Sequence, residues 1–291
     1  MRLKKWLMCF VAIVVCGMTV TFAGCFGFGD FEEYFTVVGL ATEYYVGEDL
    51  DLSDVKIRHY TEKNKYTTHN LSESMISWDG TSSAGNYVME VAYNGESISI
   101  DYTVYSASTL AQKVKTNMLK YSAIKMTFID EDPDMSDYTG FMITTNDTYY
   151  TCNESGDGSV DRTWVKNTAS GQVRYYCEYS YGEIERAVRS NVTGFPTGVE
   201  TQADVIQHMM VSGDYTYTLS KTEEGDFVFY FTDVASGFNN DQVVVIKNGL
   251  IKDMTRPADG DVSQYDSKIV YEYASYFPIP SIPENVVWDV E

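Results

Sequence analysis

The longest apolar stretch of the chain comes first. Residues Trp6 to Ala23 form an almost uncharged run behind the basic start Met1-Arg-Leu-Lys-Lys, and no later segment of that length lacks charge. Beyond it, apolar and polar positions alternate. Asn94-Gly95 is the preferred pair for a two-residue type I′ turn, because both central residues need φ > 0. Counting outward from that turn, Tyr93 faces Glu96, Val91 faces Ile98, Met89 faces Ile100 and Tyr87 faces Tyr102, all on one face. The pairs between them, Glu90 with Ser99 and Val88 with Asp101, mostly face water. Register and alternation agree, which predicts a half-buried antiparallel hairpin. Upstream, the run Tyr44 to Ser53 reads as a strand end, a turn and a short strand. Val55, Ile57 and His59 then alternate with Lys56 and Arg58, and Ser82 to Asn86 form a turn that leads into Tyr87.

From residue 107 the period changes. Leu110, Val114 and Met118, with Ala111, predict an amphipathic helix from about Ser108 to Tyr121. Strands are expected at Ile124 to Ile129, Gly140 to Thr144, Tyr149 to Cys152, Arg162 to Lys166 and Gln172 to Tyr179. A second helix is expected from Ala203 to Val211, capped by Thr201 with Asp204 three residues on. Further strands follow at Tyr215 to Lys221, Phe227 to Thr232, Val243 to Lys247, Leu250 to Thr255 and Lys268 to Tyr273, with a second Asn-Gly hairpin at Asn248-Gly249. Helices this few among strands this many predict an α+β layout dominated by antiparallel sheet. Tyr215 and Tyr217 alternate along one strand, and Phe227, Phe229 and Phe231 along its neighbour. These five are candidate ligand-binding residues if the sheet encloses an apolar cavity; the plainer reading is an ordinary dense core.

Three resemblances refine this picture. The basic start, apolar run and closing Phe22-Ala23-Gly24-Cys25 resemble a bacterial lipoprotein signal peptide, although Phe22 stands where that motif prefers Leu. The resemblance implies cleavage after Gly24, a lipidated Cys25 and a lipid anchor on the extracytoplasmic side of a bacterial membrane. Two other readings stay open: a secretory signal cleaved near Ala23, and an uncleaved span, which the interior glycine and the closing Ala-Gly-Cys oppose. Second, Tyr-x-x-Gly-Glu-x-Leu-Asp-Leu-Ser from Tyr44, the Ala84-Gly85-Asn86-Tyr87 turn and the Val91-Ala-Tyr93-Asn-Gly95 hairpin resemble bacterial Ig-like domains of group three. That implies a β-sandwich, used as a spacer or binding module, with no catalysis. Met89, two residues after Tyr87, stands where Ig domains place a core cysteine, so no inter-sheet disulfide is expected. Third, the order of helix, strands, helix, strands and Pro-rich tail (Phe277 to Pro283) resembles the LolA/LppX-like superfamily, by element order alone. It implies an antiparallel half-barrel over helices that binds acyl chains or other apolar ligands. The expected organisation is a signal peptide at 1–24, a linker at 25–34, an Ig-like β-sandwich at 35–106 and a LolA-like domain at 107–291, mainly β overall.

Composition narrows the partners. Without residues 1–24 the chain has 18 basic and 42 acidic residues, a net charge of −24. So acidic a surface opposes nucleic-acid binding through phosphate contacts and opposes lying flat on anionic lipid. Cys9 and Cys16 leave with the leader, so Cys152 and Cys177 are the remaining disulfide candidates. An oxidising compartment favours a bridge. Geometry opposes it: two strand spacings, about 9.6 Å, exceed the roughly 7 Å that a disulfide tolerates between Cα atoms.

Few residues stand at spacings that carry chemistry. Asn153 to Val160 holds the first half of a calcium-loop pattern, but Trp164 stands where a bidentate Glu belongs. The acidic run Asp130 to Asp134 reads as a solvated loop. His59 and His69 lack partners at metal-ligand spacing, His208 is isolated on a helix, and Trp78 reads as core or rim packing. No G-x-S-x-G, P-loop, H-E-x-x-H or C-x-x-C occurs. The expectation is a lipid-anchored, non-catalytic surface lipoprotein without a cofactor. Its larger domain holds an apolar ligand and the Ig-like domain is a spacer; the alternative is a structural or adhesive protein acting through an exposed face on cell wall, glycan or protein.

Overall fold

The computed structural model describes residues 32–130, 138–195, 198–236, 240–258 and 261–290. The leader, Cys25 and residues Glu131 to Asp134 of the acidic run lie outside the described residues. The chain is mainly β and divides into two compact units between Ser106 and Ala107.

The first unit is a β-sandwich. One sheet has the order β1 (Tyr34–Val38), β3 (Lys56–Glu62), β4 (Lys65–Asn70); the other has the order β2 (Glu43–Tyr45), β7 (Glu96–Tyr105), β6 (Gly85–Tyr93), β5 (Ile76–Ser77). Alternation along each strand sends Phe35, Val37 and Ile57 from the first sheet against Met89, Val91, Ile100, Tyr102 and Val104 of the second. The β6–β7 register is the one read from the sequence, with Val91 opposite Ile98, Met89 opposite Ile100 and Tyr87 opposite Tyr102. Asn94 and Gly95 take φ of 52° and 85°, as a type I′ turn requires. The Tyr87 hydroxyl donates to the Ser83 carbonyl (3.0 Å), holding the turn that enters β6. Of the strand end, turn and short strand expected over Tyr44 to Ser53, the short strand does not form. The Ser53 amide donates to Asp51 Oδ1 (2.9 Å), a local turn that competes with strand pairing, while Leu50 and Leu52 still pack on the core.

The second unit opens with α1 (Ala107–Met118), which buries Leu110, Ala111, Val114 and Met118, the stripe its spacing predicts. A six-strand meander follows: β8 (Ala123–Asp130), β9 (Tyr138–Thr145), β10 (Thr148–Ser155), β11 (Ser159–Thr168), β12 (Gly171–Ser180) and β13 (Glu183–Val192). After α2 (Val199–Ala203) and α3 (Val205–Val211) comes a second meander: β14 (Tyr215–Lys221), β15 (Phe227–Asp233), β16 (Gln242–Lys247), β17 (Leu250–Ala258) and β18 (Asp261–Ala274). β18 returns to pair with β8, so the two meanders join into one antiparallel sheet, and β19 (Asp289–Val290) adds a short parallel strand beside β13. The usual right-handed twist of about 20–25° per strand pair accumulates over so many strands.

Two expectations are corrected here. The second helix is two short helices, α2 and α3, broken at Asp204, and Thr201 lies inside α2 rather than capping it. A strand unforeseen in the sequence, β13, is joined to β12 by Tyr181-Gly182, both at positive φ.

The register shows where the cores lie. One row of partners runs from β14 to β12 as Leu219, Phe229, Val244, Met254, Ile269, Phe128, Gly140, Asn153, Asp161 and Glu178. It is apolar as far as Phe128 and polar from Asn153 onward. A row on the opposite face does the reverse: Glu272 and Lys125, linked by a 2.8 Å salt bridge, lead to Ile143, Tyr150, Trp164 and Tyr175. The sheet therefore has a core on each face: the first is centred on β14 to β8 and reaches Thr144 and Val165, and the second lies on the opposite face in the half from β9 to β13.

Candidate functional site

All five aromatic candidates lie on the face of the first core. The turn between β14 and β15 is closed by the Gly225 amide donating to the Thr222 carbonyl (2.9 Å), with Gly225 at φ 83°. This sets Tyr217 opposite Phe231 and Leu219 opposite Phe229. Phe229 and Phe231 stack at 5.6 Å, and Tyr215 and Tyr217 lie 6.1 and 6.0 Å from Phe231. Phe227, Phe229 and Phe231 are buried at 5, 0 and 0 % exposure, so they fill the core rather than line a void. Tyr215 is half-buried, and Tyr217 is 41 % exposed. The aromatic face thus grades from packed core to open surface at β14, the edge of the sheet.

Three helices accompany this half. α1 packs against β17, and α3 against β14. The Asn117 amide nitrogen donates to the Gly249 carbonyl (3.1 Å) in the β16–β17 turn. Gly249 is required there: its φ is +70°, and an added Cβ would stand 2.5 Å from that nitrogen. The amide of Gly198, just before α2, donates to Thr144 Oγ1 (3.1 Å); Thr144 is the register partner of Ile124, so α2 starts on the aromatic core's face. α1 is tied to the other helices by Lys115–Asp204 (2.6 Å) and Gln207–Gln112 (2.8 Å). The Asp204 carboxylate raises the pKa of Lys115 by accepting its hydrogen bond. At the edge, α3 leaves Val211 80 % exposed, in the same helix–strand pair as Tyr217.

A concavity of about 790 Å³ lies elsewhere, lined by polar residues that include Asn146, Glu200, Thr201, Asp204 and His208. Glu200, Asp204 and His208 recur at every fourth position through the α2–α3 break, a spacing that could have flagged them from sequence. Among the described residues no group of three or more His, Cys, Asp or Glu is placed to hold a metal ion. Asn153 to Val160 form the end of β10, the turn and the start of β11. The carboxylate of Asp157 caps that turn by accepting from the Ser159 amide (2.9 Å), which lowers its pKa. Trp164 is buried within β11.

The second core lies under the C-terminal tail. Phe277, Ile279, Ile282, Val286 and Trp288 pack on Ile143, Tyr150, Trp164 and Cys177. Trp164 Nε1 donates to the Pro280 carbonyl (2.8 Å), and Tyr175 meets Trp288 edge-on at 5.4 Å. Of the two arguments over a Cys152–Cys177 bridge, the strand-spacing argument against it fits the structure. Cys152 and Cys177 are both free, and each is a register partner of Arg162 on the strand between them. The Arg162 guanidinium sits 4.9 Å over the Tyr179 ring, and burial raises the Cys177 thiol's pKa.

In the first unit, Trp78 is half-buried against the sandwich core, and His59 and His69 both stand on paired strands against Tyr93. The sequence profile of the bacterial Ig-like domain (group 3) family matches residues 41–104. No curated protein matches the chain. The first unit thus carries a bacterial Ig-like domain of group 3, on both sequence and sandwich topology.

Proposed function

We propose that the chain is a bacterial surface lipoprotein, anchored through a lipidated Cys25 on the extracytoplasmic side, that works by binding rather than by catalysis. The Ig-like unit is its spacer, and the larger unit holds an apolar ligand of the lipid class. The observation that carries this reading is the aromatic face that runs from buried Phe229 and Phe231 to exposed Tyr217 at the β14 edge. An acyl chain entering there would continue an apolar surface between sheet and helices, in the way ligand sites in α+β folds combine apolar walls with few polar groups. The order of α1, a six-strand meander, α2–α3, a five-strand meander and a tail supports the LolA-like reading of this unit.

A second reading is favoured by one observation: the three phenylalanines already fill their core. On that reading the protein is adhesive or structural and acts through an exposed face. Native mass spectrometry of the full chain purified from membranes separates the two. Lipid that co-purifies beyond the mass of the anchor supports the first, and repeated recovery of chain carrying the anchor alone supports the second. Metabolic fatty-acid labelling that leaves the chain unlabelled, with Cys25→Ser unchanged in membrane partition, would contradict the anchor.

A further inference from the structure

Charge in the first unit is sharply segregated. Between residues 25 and 106 the Lys and Arg residues are Lys56, Arg58, Lys63 and Lys65, all on the β3–β4 hairpin. The hairpin holds one acid, Glu62, whereas thirteen Asp and Glu residues lie elsewhere in that segment. Protection of an edge strand explains Lys65, on β4, because edge lysines discourage strand addition. It does not explain Lys56 and Arg58, which lie on β3 between β1 and β4.

Ile57 points into the core, so Lys56, Arg58 and Tyr60 take the opposite, outward face. There the register aligns Tyr34, Tyr60 and Tyr66 across three strands; Tyr34 stacks on Tyr60 at 4.6 Å, and Tyr66 lies tilted at 5.2 Å from Tyr60. Tyr66 is 48 % exposed, and the Arg58 guanidinium lies 5.1 Å over its ring. Lys65 is paired with Glu62 (2.6 Å), but among the described residues neither Lys56 nor Arg58 has a carboxylate partner. Lys56 Nζ instead donates to Asn70 Oδ1 (2.8 Å), and exposed Thr68 and Asn70 adjoin Arg58 and Lys56 in register.

We propose that this face binds a polyanionic glycan. Its acidic groups pair with Arg58 and Lys56, its sugar rings lie against Tyr66 and Tyr60, and its hydroxyls reach Thr68 and Asn70. The chemistry selects among polyanions. Lys56 and Arg58 are two residues apart on a strand, about 6.7 Å, a sparse spacing that suits acidic sugars better than a duplex with one charge per roughly 1.7 Å. An anionic bilayer is less suited, since the hairpin tip Glu62-Lys63-Asn64-Lys65 has no apolar side chain to insert. The inference goes beyond the function proposed above and rests on the Ig-like unit alone, so either can fail without the other.

The test uses the full chain in phosphatidylcholine nanodiscs, with polygalacturonate and heparin as carboxylate- and sulfate-bearing probes and dextran as the neutral control. Binding to one or both polyanions but not to dextran is expected, weakened by salt; which probe binds identifies the acidic group. Lys56→Gln with Arg58→Gln should lower affinity at least tenfold, and Tyr66→Ala severalfold at unchanged charge. Lys120→Gln with Lys166→Gln, in the larger unit, should leave it unchanged. Three results would each overturn the proposal: no binding to either polyanion, equal loss in the two lysine-containing double variants, or tighter binding to phosphatidylglycerol vesicles or single-stranded DNA.

Discussion

The two halves of the larger sheet solve the same problem differently. In the half from β14 through β18 to β8, the apolar face is covered by helices, which join it through a few polar links and a stripe of aliphatic side chains. In the half from β9 to β13, the apolar face is the other one, and a proline-rich tail without helix covers it, pinned by Trp164 and Trp288. A helical layer can shift as a body to admit a ligand, whereas a strap locked residue by residue offers no comparable opening. On the proposed ligand reading, binding falls to the helix side and closure to the tail side.

The comparison can be broken by removing the tail. Deleting residues 277–291 should abolish slow hydrogen exchange in β10 to β13 while β14 to β17 stay protected; equal loss in both halves would mean that the sheet has a single cooperative core. Single substitutions sharpen it. Trp164→Ala and Phe229→Ala, each removing a side chain at 1 % exposure or less, should cost about 3–5 kcal/mol in urea unfolding. Trp164→Phe keeps a ring but loses the bond to Pro280, and should cost about 1–2 kcal/mol. If it costs as much as Trp164→Ala, the bond rather than the packing holds the tail.

The smallest effect is electrostatic and belongs to the helix side. The Asp233 carboxylate, at the end of β15, accepts from the Ser236 hydroxyl and from the amides of Ser236 and Ala235, which holds its pKa down at about 2 from 3.8. A depressed carboxylate stabilises the fold above its unfolded pKa, so this contribution is complete above about pH 4 and lost as pH falls from 3.8 through about 2. Asp233→Asn should flatten acid unfolding in that window, read by amide exchange at Ala235 and Ser236. An unaltered profile would show that the carboxylate carries no weight there.

What was legible in the sequence was local. The β6–β7 hairpin could be read pair by pair because Asn94-Gly95 fixes the turn and alternation fixes the face. α1 was visible because its apolar stripe keeps one period. β13 was hidden, since Tyr181 is an unusual first residue for a positive-φ turn and Glu185, Arg186 and Arg189 dilute the alternation. The break at Asp204 was hidden because α2 and α3 share one apolar pattern. The tail's role depends on Trp164, more than a hundred residues earlier, so no local pattern could announce it. The aromatic candidates were found by alternation, but alternation does not separate a filled core from the wall of a site, and that distinction rests on the exposure of Tyr217.

The most direct test of the division between a binding half and a closed half is to photolyse a photoactivatable fatty acid with the purified full chain and map the adducts by mass spectrometry. Adducts in Tyr215 to Leu219 and in α3, suppressed by excess unlabelled fatty acid, are the predicted result. Adducts centred on Trp164 and Trp288, or none above a control protein, would contradict the account.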